Sequence, residues 1–105
     1  MIDIDRATLI QQHLQSQINI EEPRLYEVII FNDDITPMDF VVELIMKVFG
    51  RSNLEANLLM MAVHHTGQKV VGIYTFDIAQ TKRHIGQKMA KDAGYPLRLG
   101  IRPTS

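Results

Sequence analysis

The sequence contains no cysteine, which excludes disulfides and thiolate metal sites from its 105 residues. It also lacks a basic excess: 11 Lys and Arg face 12 Asp and Glu, for a net charge of −1 at pH 7. A protein whose main partner was nucleic acid would need such an excess to neutralise phosphates. Neither a transmembrane run of apolar residues nor a secretory leader is recognisable, so we expect a cytoplasmic protein.

Signatures of enzymes are scarce. The chain has no nucleophile elbow, no Gly-rich phosphate loop and no His-Glu-x-x-His motif, and its six glycines are scattered. A carboxylate and a histidine could form an acid–base pair, but nothing beside them resembles a nucleophile or an oxyanion hole. We therefore expect a protein that is not an enzyme and has no cofactor.

What the chain does contain suits one domain, with 46% hydrophobic residues in a length of 105. Residues 1–24 differ from the rest, because Gln and Asn fill the gaps between Ile10, Leu14 and Ile18, and Pro23 closes the segment. We predict a flexible N-terminal extension over 1–24, with an ordinary packed helix as the alternative, and a core domain over 25–105.

Hydrophobic periodicity predicts the elements of that core. Strands are predicted at 26–31, 70–74 and 97–102. Helices are predicted from Pro37 to Phe49, from Asn53 to about His65, and from the cap at Thr75 to Ala93. The order strand, helix, helix, strand, helix, strand predicts an α+β fold. It would be a small sandwich in which three helices cover one face of a three-stranded antiparallel sheet.

Helix ends and buried faces follow from the same patterns. Thr36 is predicted as an N-cap, with Pro37 at the first helical position and Asp39 completing the cap, and Ser52 and Glu55 form a second capping box. The expected buried positions are Val41, Leu44, Ile45, Val48 and Phe49 in the first helix, Leu54, Leu58, Met61 and Ala62 in the second, and Ile78, Ile85 and Met89 in the third.

The acidic loop, residues 32–38 with the sequence Asn-Asp-Asp-Ile-Thr-Pro-Met, joins the first predicted strand to the first helix. Asn and Asp favour such turns because their side chains bond nearby backbone, so a turn with a helix cap is one interpretation. The other is a binding site for a cation: a metal, an ammonium group or an arginine.

The end of the second predicted helix is the other candidate. Met60 and Val63 share a side with His64, whereas Met61 belongs to the opposite stripe. A helix that is apolar on two sides either buries both or keeps one for a ligand, although core packing is the default. Adjacent histidines point about 100° apart on a helix, so His64 and His65 do not predict a metal site.

Two stretches together resemble the ClpS family, the bacterial adaptors that recognise N-degrons for the ClpA–ClpP protease. They are Tyr26-x-Val-Ile-Ile-Phe-Asn-Asp-Asp-Ile-Thr-Pro-Met-Asp-Phe-Val41 and Met60-Met-Ala-Val-His64-His-x-Gly67. The resemblance, from about residue 25 to 99, implies an adaptor, and nothing in the sequence requires more than a monomer. Such an adaptor binds substrate proteins with N-terminal Phe, Tyr, Trp or Leu and delivers them to a ClpA-type AAA+ chaperone.

The resemblance also implies roles for particular residues. The α-amine of the ligand would be held by Asn32, Asp33, Asp34 and His64, with Asp34 favoured of the two aspartates. Its side chain would lie against Ile35, Thr36, Met38, Val41, Met60, Val63 and Leu97. The N-terminal domain of the chaperone would meet Asp77 and Lys82, where Asp77 replaces the Glu usual in relatives.

An alternative is an assembly module similar to the C-terminal domain of the ribosomal stalk protein, which has a related fold. That domain recruits translation factors through a helical face and would not need the acidic loop together with the Met-x-x-Val-His stretch. A metal-dependent enzyme is a more distant third interpretation.

Overall fold

The computed structural model describes residues 23–105, and this part of the chain contains three strands and three helices. These are β1 (Leu25–Phe31), α1 (Met38–Phe49), α2 (Asn53–Thr66), β2 (Gln68–Thr75), α3 (Phe76–Asp92) and β3 (Arg98–Pro103). Their order confirms the predicted succession. The predicted extension over 1–24 falls, apart from its last two residues, outside the described part of the chain.

The three strands form one antiparallel sheet in the order β2-β1-β3, with β1 in the centre. Val28 and Ile30 of β1 are fully buried in the core shared with the helices, and Ile29 between them lies outside that cluster. This alternation follows from the period of two along a strand. The predicted α+β fold, with three helices over one sheet face, is confirmed.

Helix α1 begins one step later than the sequence suggests. Pro37 holds the N-cap position with φ −63° and ψ 143°, and no side chain caps the helix. The predicted cap by Thr36, with Pro37 inside the helix and Asp39 closing the box, is therefore wrong. The Thr36 hydroxyl donates instead to Asp33, because a loop carboxylate competes with the helix end for the same group.

The remaining predictions for α1 are confirmed. Its buried side chains are those expected, Val41, Leu44, Ile45, Val48 and Phe49. The helix ends at Gly50, whose φ of 65° is a left-handed conformation that glycine adopts without a steric penalty.

Helix α2 has the predicted capping box but buries the other face. The Ser52 hydroxyl accepts from the Glu55 amide at 3.1 Å, and the Glu55 carboxylate accepts from the Ser52 amide at 3.2 Å. Leu54 and Leu58, predicted as core, are 70% and 63% exposed. Both faces are apolar, so periodicity alone could not tell which one meets the sheet; the buried residues are Ala56, Met60 and Val63.

Helix α3 buries mostly different residues from those predicted, although the expected Met89 is partly buried against the core. Ile78 and Ile85 are each 49% exposed, and the buried residues are the small ones, Ala79, Gly86 and Ala90. Small side chains let a helix approach a sheet closely, which large ones prevent. None of the helices within residues 23–105 is both long and apolar enough to cross a membrane.

Candidate functional site

A cavity of 180 Å³ lies between the acidic loop, α1, α2 and the residue that precedes β3. We call it the loop cavity, and it brings together ten of the eleven side chains that the sequence predicted at the ligand site, all but Ile35. Its lining consists of Asn32, Asp33, Asp34, Thr36, Met38, Val41, Met60, Val63, His64 and Leu97.

The interior of the loop cavity is apolar. Val41 comes from α1, Met60 and Val63 come from α2, and Leu97 lies directly before β3; each is less than a tenth exposed. A dry cavity of about 150 Å³ in an engineered protein core is large enough to bind benzene. The loop cavity therefore has room for one bulky side chain and rewards its burial.

The mouth of the cavity is polar. Asn32, Asp34 and His64 are exposed there, next to the half-exposed Met38. Among residues 23–105, none donates a hydrogen bond to the carboxylate of Asp34. An amide oxygen, a carboxylate and an imidazole thus share one rim, and all three can accept hydrogen bonds from a ligand.

Asp33 is engaged within the loop. Its Oδ1 accepts from the amides of Ile35 at 2.9 Å and Thr36 at 2.7 Å, and its Oδ2 accepts from the Thr36 hydroxyl at 2.7 Å. Partial burial opposes ionisation, but these three hydrogen bonds outweigh it and hold the pKa of Asp33 below its ordinary value. Asp33 is thus a charged anchor that shapes the loop.

A backbone contact joins the two halves of the site. The Asn32 amide, directly after β1, donates to the Gly67 carbonyl, directly after α2, at 2.9 Å. This bond holds the acidic loop beside the last turn of α2, which carries His64. Two segments thirty residues apart in sequence therefore meet at one rim.

The two adjacent histidines lie at the end of α2. The ring centroids of His64 and His65 are 5.4 Å apart, and the ring planes are inclined at 65°. Within residues 23–105, no three side chains of His, Cys, Asp or Glu are grouped closely enough to hold a metal ion.

Ile35 is the predicted lining residue that lies elsewhere. Its side chain is 72% exposed and lines a separate open groove with Tyr95 and Arg98. The physical reason is the Asp33 turn: the Ile35 amide faces the carboxylate, which directs the side chain away from the loop cavity.

The two residues predicted to meet a chaperone lie on α3, outside the loop cavity. Asp77 is exposed in the first turn. Lys82 is half-buried: its Nζ donates to the Val48 carbonyl at the end of α1 at 2.9 Å and lies 5.3 Å from the centre of the Tyr74 ring. Lys82 therefore contributes to packing between helices.

One supporting residue has no signal in the sequence. The Gln87 side-chain amide on α3 donates to the Leu97 carbonyl at 2.7 Å and accepts from the Leu99 amide at 2.9 Å. A glutamine within a polar stretch of helix is by default a solvated residue, and only the packing of α3 on β3 brings it to the backbone beside the loop cavity.

Comparison with known proteins shows a consistent similarity. A family model described as ATP-dependent Clp protease adaptor protein ClpS matches residues 21–100. The ClpS protein of Helicobacter hepaticus is 48% identical over 76% of this chain and 81% of its own length. That of Treponema denticola is 51% identical over 76% of this chain and 79% of its own length.

A solved structure is similar as well. It is that of Agrobacterium tumefaciens ClpS2 bound to L-phenylalaninamide, with a TM-score of 0.76 and 38% identity, covering 78% of this chain and 99% of the other. The ligand of that protein, L-phenylalaninamide, has a free α-amine and a benzyl side chain.

Proposed function

The chain belongs to the ClpS family of adaptors for ATP-dependent Clp proteases, which are not enzymes, and we propose on that premise that the loop cavity binds N-degrons. The ligand is the free α-amine and bulky side chain of an N-terminal Phe, Tyr, Trp or Leu. The observation that carries the proposal is the adjacency of an acceptor-rich rim and a cavity of about 180 Å³ whose interior is lined by buried apolar side chains.

The rim suits an α-amine. An α-amino group has an unperturbed pKa of about 8 and is mostly charged at neutral pH. As an ammonium it donates three hydrogen bonds and accepts none. Asn32 Oδ1, the Asp34 carboxylate and the imidazole of His64 supply acceptors, and Asp33 adds negative charge while it shapes the loop. An internal peptide bond carries no such charge, so this rim disfavours it.

The cavity interior suits the side chain. Full burial of a Phe or Leu side chain contributes roughly 1.5–3 kcal/mol. Val41, Met60, Val63 and Leu97 provide the apolar surface. Met38 at the mouth would crowd a side chain branched at Cβ, which favours Phe, Tyr, Trp and Leu over Ile and Val.

Titration of short peptides tests this proposal. Peptides that begin with Phe or Leu should bind at least about tenfold more tightly than the same peptides N-acetylated, because acetylation removes the charge. A Phe peptide should likewise bind better than one that begins with Ala. Equal affinity of the free and acetylated peptides would contradict the amine site, and equal affinity of Phe and Ala peptides would contradict the side-chain cavity.

The second half of the proposed function is delivery to the N-terminal domain of a ClpA-type AAA+ chaperone, by a monomer in the cytoplasm. The exposed carboxylate of Asp77 at the start of α3 supports a docking surface away from the loop cavity. Degradation of a reporter with N-terminal Phe by a purified ClpA–ClpP-type protease should depend on the adaptor. A rate unchanged by its addition would contradict delivery.

A further inference from the structure

We propose that Gln87 is a positioning residue for the loop cavity: by holding the backbone on both sides of Arg98, it sets where Leu97 lies and thereby selects among bulky N-terminal side chains. The inference rests on the proposed function, because it explains which ligand fits best. Gln87 does not line the loop cavity and would act through Leu97.

The hydrogen bonds of Gln87 replace those of a missing strand. β3 is an edge strand, paired with β1 on one side, and the register ends at Phe31 opposite Arg98. The Leu97 carbonyl and the Leu99 amide point to the side away from β1. There, Gln87 Nε2 donates to the Leu97 carbonyl at 2.7 Å, and Gln87 Oε1 accepts from the Leu99 amide at 2.9 Å. One side chain thus pairs with β3 as a neighbouring strand would.

This pairing matters most for Leu97. Leu97 lies beyond the last residue of β3 that pairs with β1, and its side chain is 1% exposed at the wall of the loop cavity. The hydrogen bond from Gln87 therefore holds the backbone of Leu97, which lies beyond the part of β3 that pairs with β1. An apolar pocket can discriminate between ligands that differ by about one methylene group. A small displacement of Leu97 at the cavity wall therefore changes which ligand side chain fits best.

Close approach of α3 makes the contact possible. Gly86, next to Gln87, is buried, and a Cβ built there would lie 2.6 Å from Leu99 Cδ2. Glycine inside a helix is less favourable than alanine. Its presence lets α3 lie against β3 at the position where the glutamine reaches the backbone.

Two variants separate the two hydrogen bonds. Gln87→Met removes both while keeping the length of the side chain and a good helix former. Gln87→Glu keeps an acceptor for the Leu99 amide but places a carboxylate oxygen against the Leu97 carbonyl. The matched control is Gln80→Met, the same substitution at an exposed position of the same helix.

The measurement is the Kd of four peptides that begin with Phe, Tyr, Trp or Leu. In Gln87→Met and Gln87→Glu the ratio between the weakest and the tightest Kd should change by about threefold or more, and in Gln80→Met it should equal that of the parent. A merely destabilised protein would raise all four Kd values by one common factor, since only its folded fraction binds. An unchanged ratio in either Gln87 variant overturns the proposal.

An NMR spectrum of the ligand-free protein provides a second measurement, which does not depend on peptide binding. The methyl signals of Leu97 should move in both Gln87 variants, and hydrogen exchange of the Leu99 amide should accelerate in Gln87→Met but not in Gln80→Met. If the parent binds no peptide with a free amine, the proposed function fails. If the Leu97 methyl signals stay in place, the positioning role fails, whatever the peptides do.

Discussion

The carboxylate of Asp33 accepts two hydrogen bonds from Thr36, one from its amide and one from its hydroxyl, each at 2.7 Å. Asp33 therefore shapes the acidic loop, and its neighbour Asp34 accepts no hydrogen bond from residues 23–105. Two adjacent aspartates thus have different tasks. Asp33 holds the turn, and Asp34 lies at the rim of the loop cavity, where the proposed function assigns it to the ligand.

Alanine substitutions should separate these tasks. Asp34→Ala should weaken binding of a Phe peptide by roughly 1–3 kcal/mol without changing the thermal midpoint, because only a charge-assisted contact is lost. Asp33→Ala should also lower the free energy of unfolding, by about 1–2 kcal/mol, because three loop donors lose their acceptor.

Asp39→Ala is the control for both, since Asp39 is exposed nearby and does not line the loop cavity. Calorimetric titration and thermal denaturation measure the two effects. A loss of stability in Asp34→Ala equal to that in Asp33→Ala would contradict the division.

The order of the acidic loop should depend on pH and be lost in acid. Hydrogen bonds hold the pKa of Asp33 below its ordinary value, despite the opposing effect of burial, so folding favours the ionised form. The stabilisation is then complete above about pH 4, the range of an unfolded aspartate, and is lost as pH falls through the lowered pKa of the folded state.

Hydrogen exchange and the chemical shift of the Thr36 amide, followed from about pH 6 to about pH 2, measure this transition. In Asp33→Asn the side chain cannot ionise, and the acid-dependent change at Thr36 should disappear. If the Thr36 amide changed with pH in the same way in the parent and in Asp33→Asn, a group other than Asp33 would control the order of the loop.

Met38 should restrict the shape of the ligand. It is 42% exposed at the mouth of the loop cavity, and in Met38→Ala a β-branched side chain meets less crowding. Peptides that begin with Ile or Val should gain about tenfold in affinity relative to a Phe peptide. Met61→Ala is the matched control, because Met61 is 40% exposed and does not line the cavity. Equal gains in both variants would be inconsistent with a role for Met38 at the mouth.

Asp77 and Lys82 should differ in a test of chaperone docking. Asp77→Lys should slow adaptor-dependent degradation while leaving peptide binding and stability intact, because the side chain is exposed. Lys82→Met should in addition lower the free energy of unfolding by about 1 kcal/mol, since the Val48 carbonyl loses its donor.

Asp92→Lys, a charge reversal at the other end of α3, is the control for docking. Degradation assays and urea denaturation give the two readings. Full degradation with Asp77→Lys would remove that residue from the docking surface.

Local signals in the sequence were enough for the elements of the fold. The run Val28 to Phe31 is β-branched and aromatic, the Ser52 and Glu55 capping box forms as expected, and Gly50 and Gly67 end their helices with positive φ. Each of these depends on residues a few positions apart, whose preferences act before any tertiary contact is made.

Faces and hydrogen-bond partners were less predictable. Leu54 and Ile85 have helical spacing with other apolar residues but are 70% and 49% exposed, because α2 and α3 turn smaller or opposite faces inward. Thr36 has the sequence context of a cap, yet its hydroxyl bonds Asp33. Periodicity reports that a face is apolar and does not report which face the sheet covers.

Preferences between near neighbours in the sequence account for which elements form, for their order, and for the acidic loop and the Met-x-x-Val-His stretch that carry the candidate site. Three further assignments follow only from the packed fold: Asp33 supports the loop while Asp34 lies at the rim, Ile35 lies outside the loop cavity, and Gln87 holds the backbone at Leu97. Elements arise from preferences between near neighbours. These assignments depend on distances between residues far apart in sequence, which exist only once the helices have packed on the sheet.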